Sequence, residues 1–366
     1  MWIVRHPLLS VISSPCPLEG VTGTGGSHGN PHPTAEIASC ARRRGGVAAG
    51  GACDSPLSRR GLGQRSVLPD EANHIDRCVP ARSKIDIVAR VLTDHLSSTL
   101  GQTVILDHRP GGAGGTVGTK SVADADADGY TLLLSPPGPL VVAPALYKHL
   151  GYDPATSFAP IATLFTSPQL LAVNPAVPAN SMQELVAYAK ANPGKIAFAS
   201  PGYGTQPHLL GEMLRLQTGV EIVHVPYKGP AQAITDLLAG QVQMYFETIA
   251  LLLPHVEAGK LKALAVADAE RSPHLPAAPT TTESGFPKLQ ATYWSGVLAP
   301  NGTPTSVIRK LNETINAILQ SPELQATLDK LNARPKIGSP QDFAAFMTAE
   351  RQKWTDVVTR AGIKVE

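Results

Sequence analysis

Two absences divide this 366-residue chain. Residues 83–366 contain no cysteine, and residues 1–82 contain no lysine. The first absence excludes disulfide staples and thiol nucleophiles from the larger part. It fits an exported protein that avoids stray thiols. The second accompanies nine Arg, eleven Gly, eight Pro and all four cysteines: Cys16, Cys40, Cys53 and Cys78. Those cysteines stand 24, 13 and 25 residues apart, so they form no close ligand pair and no metal site is expected. A long apolar run is missing too, which argues against a membrane-spanning helix. Residues 1–12 (MWIVRHPLLSVI) are interrupted by Arg5, His6 and Pro7 and make a poor signal peptide.

Hydrophobic residues make up 43% of the chain, enough for a sizeable core. The net charge of +2 gives no electrostatic case for nucleic acid or membrane partners. Residues 1–82 show neither helical nor strand periodicity and read as disordered. Order begins at residue 83. Apolar residues at Ile87, Val88, Val91, Leu92 and Leu96 predict a helix over 84–100, stopped by Gly101.

Short apolar strands then alternate with helices. Strands are expected at 103–108, 130–135, 159–165, 170–175, 196–200, 222–226, 242–246, 261–267 and 293–300. Ser181 and Glu184 form a capping-box pattern. Three helices, near 304–320, 322–332 and 340–360, close the chain. The alternation predicts a parallel, doubly wound α/β sheet, with the helical ending packed across its outside.

The segment IAFASPGYGTQPHLLGEML (196–214) is the most informative. A strand ends at Ser200, a Gly202-x-Gly204 turn follows, and a helix begins. Ligands of open α/β sheets sit outside the carboxyl ends of strands. A helix start there offers unpaired N–H groups to an anion. Thr205 can cap the helix or bind the anion. An ordinary strand-to-helix turn fits the same residues. RPGGAGGTVG (109–118) is a similar element, but it lacks nucleotide-loop spacing and reads as a structural turn. His208 and Glu212 share a helix face without a third metal ligand. Ser200 lacks the flanking glycines of a hydrolase elbow. No catalytic constellation emerges.

Several segments carry a resemblance when taken together. They are DIVARVL (86–92), HRPGGAGG (108–115), DGYTLLLS (128–135), APALYKHLGYDP (143–154) and ANPGKIAFASPGYGTQPHL (191–209). VHVPYKGPAQAITDLLAGQVQMYF (223–246), AGKLKALAVADAERSPHLPAAPTTTESGFP (258–287) and GVLAPNGTP (296–304) complete the set. Over about 84–366 the chain resembles the Bug/TctC family, the extracytoplasmic solute-binding receptors of tripartite tricarboxylate transport. The resemblance implies a type II periplasmic-binding-protein fold: two α/β lobes, a hinge of crossing strands and a cleft between them. Residues 83–165 with 290–366 would form one lobe, and 166–289 the other. It implies a periplasmic, monomeric, non-enzymatic receptor without cofactor. Its partners would be a small carboxylate and a membrane permease.

The resemblance also implies ligand-binding positions. Ser200, Gly202, Tyr203, Gly204 and Thr205 match one binding turn, with His208 beside it. Ser135, Pro136 and Gly138 match a loop of the first lobe, and Asp86 matches the Asp of the family's S-D-x-x-A-R pattern. Glu247 and Thr248 sit where the family varies. A Glu there would repel a carboxylate and would instead read an amine or a hydroxyl.

One departure stands out. The family's first strand and glycine loop are missing ahead of Asp86. Codon degeneracy lets residues 68–82 (LPDEANHIDRCVPAR), read one base later, spell YPTKPITLIVAFPPG, a family-like strand and loop. Residues 1–82 are thus expected to be a frameshifted signal peptide and first strand, the alternative being a true, disordered N-terminal extension. As written, DEANHIDRC should not fill a buried parallel position. Two rivals remain: the ligand-sensing domain of a regulator, and an α/β enzyme. The first needs a helix-turn-helix and the second a catalytic set, and neither motif is present.

Overall fold

A computed structural model describes residues 84–109 and 115–364 in full, and residues 74–77 as backbone. The four cysteines, residues 1–12 and residues 110–114 of the glycine-rich turn lie outside the described residues.

The chain starts with a short strand, β1 (His74–Arg77), and the helix α1 (Lys84–Leu100). The expectation that this stretch carries no strand is corrected here. β1 pairs in parallel with β3 (Thr131–Ser135), Ile75 opposite Leu132. Strand pairing uses backbone groups that every non-proline residue carries, so a segment without side-chain periodicity can still make it. Between β1 and β3 come β2 (Ile105–His108) and α2 (Thr116–Ala123). After β3, a single π-helical turn (Gly138–Val142) runs into α3 (Ala143–Leu146).

The next strand organises the molecule. β4 (Phe158–Val173) is sixteen residues long and serves two sheets. Up to Pro168 it pairs with β9 (Thr292–Pro300), and from Gln169 onward with β7 (Met244–Thr248). The sequence suggested two strands here, separated at residues 166–169. Pro160 and Pro168 lack N–H donors and break the strand pattern. The register shifts beside Pro160 and Thr163 absorb such a break without ending the strand.

The second sheet holds β5 (Ile196–Ser200), β6 (Ile222–Pro226), β7 and β8 (Lys262–Val266). Its helices are α4 (Met182–Ala191), α5 (Gln206–Thr218), α6 (Pro230–Leu238) and α7 (Ile249–Glu257). The Ser181 hydroxyl accepts from the Glu184 N–H at 3.1 Å and caps α4. The β1–β3, β5–β6 and β5–β7 pairs are parallel. β4 runs antiparallel to β7, β8 and β9, so the fully parallel expectation gives way to mixed sheets joined by crossing strands.

The chain closes with α8 (Thr305–Leu319), α9 (Pro322–Lys330), the two-residue β10 (Arg334–Pro335) and α10 (Pro340–Ala361). α1, α8 and α9 cover one face of the first sheet through Leu92, Leu311 and Leu328. α10 is no outer tail. Its Phe343 and Trp354 share one apolar cluster with Leu298 of the first sheet and Leu209 of α5. Phe343 also lies where Gly296 leaves room on β9.

Candidate ligand-binding cleft

A cavity of about 480 Å³ opens beside the point where β4 changes sheets. The crossing region contributes Gln169, Glu247 and Tyr293. One wall is the turn after β5, residues 201–207, leading into α5. The facing wall comes from Pro136, Pro137 and Gly138 after β3, with Val142, Leu146 and Tyr147. No Lys or Arg lines it among the described residues, so an anion there would meet backbone rather than a counter-charge.

The turn after β5 is built on glycine. Gly202 and Gly204 take φ of 134° and 71°, a region that side chains disfavour. Ser200 anchors the turn from below. Its buried Oγ accepts the Gly202 N–H at 3.1 Å and lies 2.6 Å from His224 Nε2. The Gly204 N–H donates to His208 Nδ1 at 3.1 Å. Thr205 Oγ1 donates to the Gly202 carbonyl at 2.7 Å, and the Thr205 N–H to the same oxygen. The N–H groups of Tyr203 and Gln206 take no part in this network. Pro207 brings no N–H of its own at the helix start.

Behind the turn lie two imidazoles. His208 and His224 stack with ring centroids 3.9 Å apart. Phe198 stacks on His224 at 4.9 Å, and Tyr203 sets its edge against both imidazoles. Burial, then the charge of His224, pushes the His208 pKa down to about 3. Burial lowers that of His224 to about 4. Both rings are therefore neutral near pH 7, and neutral His208 Nδ1 can accept the Gly204 N–H.

Glu247 is the one carboxylate on the cavity wall among the described residues. Its Oε2 accepts from the Tyr245 hydroxyl at 2.7 Å and its Oε1 from the Thr248 N–H at 2.7 Å. Burial raises its pKa, and the Thr248 N–H, the Tyr245 hydroxyl and the charge of Lys84 oppose that rise. Lys84, at the start of α1, is half-buried; desolvation lowers its pKa to about 8, with Glu247 acting against the shift. Its ammonium donates to Ser167 Oγ and the Leu331 carbonyl, away from the cavity lining.

The cleft thus brings together Pro136, Gly138, Gly202, Tyr203, Gly204, Thr205 and Glu247 of the residues singled out in the sequence. Ser135, Ser200, His208 and Thr248 are buried and support the wall without lining it. Asp86 lies on α1, 3.3 Å from Arg90 Nε and 3.9 Å from His108 Nε2, outside the lining. Glu212 pairs with Arg215 at 2.7 Å and not with His208. Among the described residues no cluster of three potential metal ligands forms. Sequence reading passed over Gln169, Gln206, Leu146, Tyr147 and Tyr293. Two of these, Gln169 and Tyr293, sit on crossing strands whose pairing no local pattern reveals.

Residues 88–363 match the family model described as the tripartite tricarboxylate transporter family receptor. The chain belongs to this family. It is a solute-binding receptor by that membership, with the fold of the periplasmic binding proteins. Protein BugT of Bordetella pertussis is 39% identical over 288 residues, 78% of this chain and 88% of that one. A Rhodopseudomonas palustris protein solved with adipate superposes with a TM-score of 0.70 at 36% identity, over 81% of this chain and 99% of that one. MatC from Rhodopseudomonas palustris, solved with bound malate, superposes with a TM-score of 0.68 at 31% identity, over 80% and 100%. The matched region opens at Val88, so the glycine-built turn after β5 and the crossing strands all belong to the family part of the chain.

Proposed function

We propose that this receptor captures a small carboxylate in the cleft outside the cytoplasm and delivers it to a tripartite tricarboxylate-type permease. The observation that carries this reading is the turn at the start of α5. It opens onto the cavity, it is held rigid from behind by Ser200 and His208, and it leaves the Tyr203 and Gln206 N–H groups for a ligand. The positive end of the α5 dipole favours negative charge at the same point. The relatives solved with adipate and malate support the same ligand class.

The halves would act as lobes, 83–165 with 290–366 and 166–289, hinged where β4 and β9 cross. Ligand contacts with both walls would favour the closed arrangement. Binding without turnover is expected, and the protein would work as a monomer in the periplasm. The test is a thermal-shift screen with adipate, malate and 6-aminohexanoate, followed by recovery of the ligand. A rise in melting temperature with ligand recovered intact supports the receptor. Conversion of a bound ligand would point to an enzyme.

A further inference from the structure

The cavity has two chemically different ends. The turn after β5 presents N–H groups, which are donors. The crossing region presents acceptors. Glu247 is 7% exposed, and two of its lone-pair directions are taken by Tyr245 and Thr248, so two remain on a carboxylate. Gln206 is 5% exposed and its orientation is fixed, because its Nε2 donates to the Thr292 carbonyl at 3.1 Å. Its Oε1 is left buried with no partner. Gln169, 1% exposed, carries a second buried, unpartnered Oε1. A buried acceptor without a donor is costly. Among the described residues no cation lines the cavity to receive a second ligand carboxylate, and Lys84 is engaged elsewhere.

We infer that the ligand carries a hydrogen-bond donor, an ammonium or a hydroxyl, opposite its carboxylate, and that Glu247 reads it. This rests on the preceding reading that a carboxylate docks at the α5 turn. The class is therefore an ω-amino or ω-hydroxy monocarboxylate with an apolar body, not an unsubstituted dicarboxylate. A second carboxylate facing Glu247 would meet like charge or force Glu247, whose pKa burial already raises, to take up a proton, whereas an ammonium there pairs with the ionised side chain.

The experiment is calorimetric titration of the full chain at pH 7 with adipate, 6-aminohexanoate, 6-hydroxyhexanoate and hexanoate. The same series is then run on Glu247→Gln after its melting curve shows a folded protein. The expected result is that 6-aminohexanoate or 6-hydroxyhexanoate binds about a hundredfold tighter than adipate, the ratio set by charge repulsion at short range. The variant should bring that ratio within about tenfold, because a neutral amide both accepts and donates. If adipate binds the native chain as tightly as the donor-bearing ligands, the inference is overturned while carboxylate capture stands. The same holds if Glu247→Gln leaves the ratio unchanged. If none of the four binds, the receptor reading and the inference fall together. The native-chain series decides the matter even where the variant does not fold.

Discussion

Gly204 faces Leu146 across the cleft so closely that a Cβ on the glycine would come 2.3 Å from Leu146 Cδ1. One residue belongs to the turn before α5 and the other to the end of α3. The two walls therefore meet at this point, beside the cavity that both of them line.

Gly204→Ala should hold these walls apart. The left-handed φ of 71° adds a cost of about 1–2 kcal/mol for any residue with a Cβ. Ligand affinity is expected to fall by about tenfold or more, since closure must now displace Leu146. Leu146→Ala in the same chain should recover part of the affinity but none of the backbone cost. Calorimetric titration and urea unfolding of the single and double variants separate the two contributions.

The stacked imidazoles give the fold a pH limit. The reference value is 6.5, and the folded values are about 3 for His208 and about 4 for His224. Both folded values lie below the unfolded one, so the unfolded chain takes up protons first as pH falls. The stabilisation is complete above pH 6.5 and is lost progressively toward pH 4 and below. For His208 the slope in that window is at most about 1.4 kcal/mol per pH unit. His208→Phe keeps a ring for the stack and should flatten the slope, while losing the acceptor for the Gly204 N–H. Urea midpoints at pH 7, 6 and 5 measure this; an unchanged slope would contradict it.

Much of this molecule was readable before its structure. α1 has the bounds that its apolar spacing predicts, and β5 and β6 match their apolar runs. The strand-to-helix turn at residues 200–205 was legible because Gly202 and Gly204 supply the positive φ that it needs. β4 was not, because Pro160 and Pro168 hide a strand that survives on irregular pairing. His224 was missed as the partner of Ser200 because 24 residues separate them and only the β5–β6 pairing joins them. Gln169 and Gln206 carry no sequence signal at all. An amide becomes notable only when its oxygen is found buried without a donor.

β1 provides a test of the N-terminal reading. His74–Arg77 occupies a parallel position beside β3, and parallel strands are ordinarily apolar on both faces. The out-of-frame reading supplies Thr-Leu-Ile-Val for the same four positions. The combined substitution H74T/I75L/D76I/R77V should raise stability by about 2 kcal/mol, the burial of one large apolar side chain. Chemical denaturation of the two full-length chains measures this. Equal stability would remove the physical argument for a shifted frame, and sequencing the coding DNA over codons 55–90 tests the shift itself.

Lys84 offers a further check on the electrostatics of the cleft. Its charge opposes the burial-driven rise of the Glu247 pKa. Lys84→Met should therefore raise that pKa further and shift the pH at which donor-bearing ligands lose affinity upward. Titrations of 6-aminohexanoate between pH 5 and 8 detect the displacement. An unmoved profile would mean that Lys84 and Glu247 are not coupled through the hinge.

The most direct test of the central claim is an amide nitrogen–proton spectrum of the isotopically labelled chain, with and without 6-aminohexanoate or adipate. If a carboxylate docks at the start of α5, the Tyr203 and Gln206 amides should shift furthest, with Gly202 and Gly204 following through their anchored turn. Shifts centred elsewhere, with these four amides unmoved while the ligand is bound, would contradict the account.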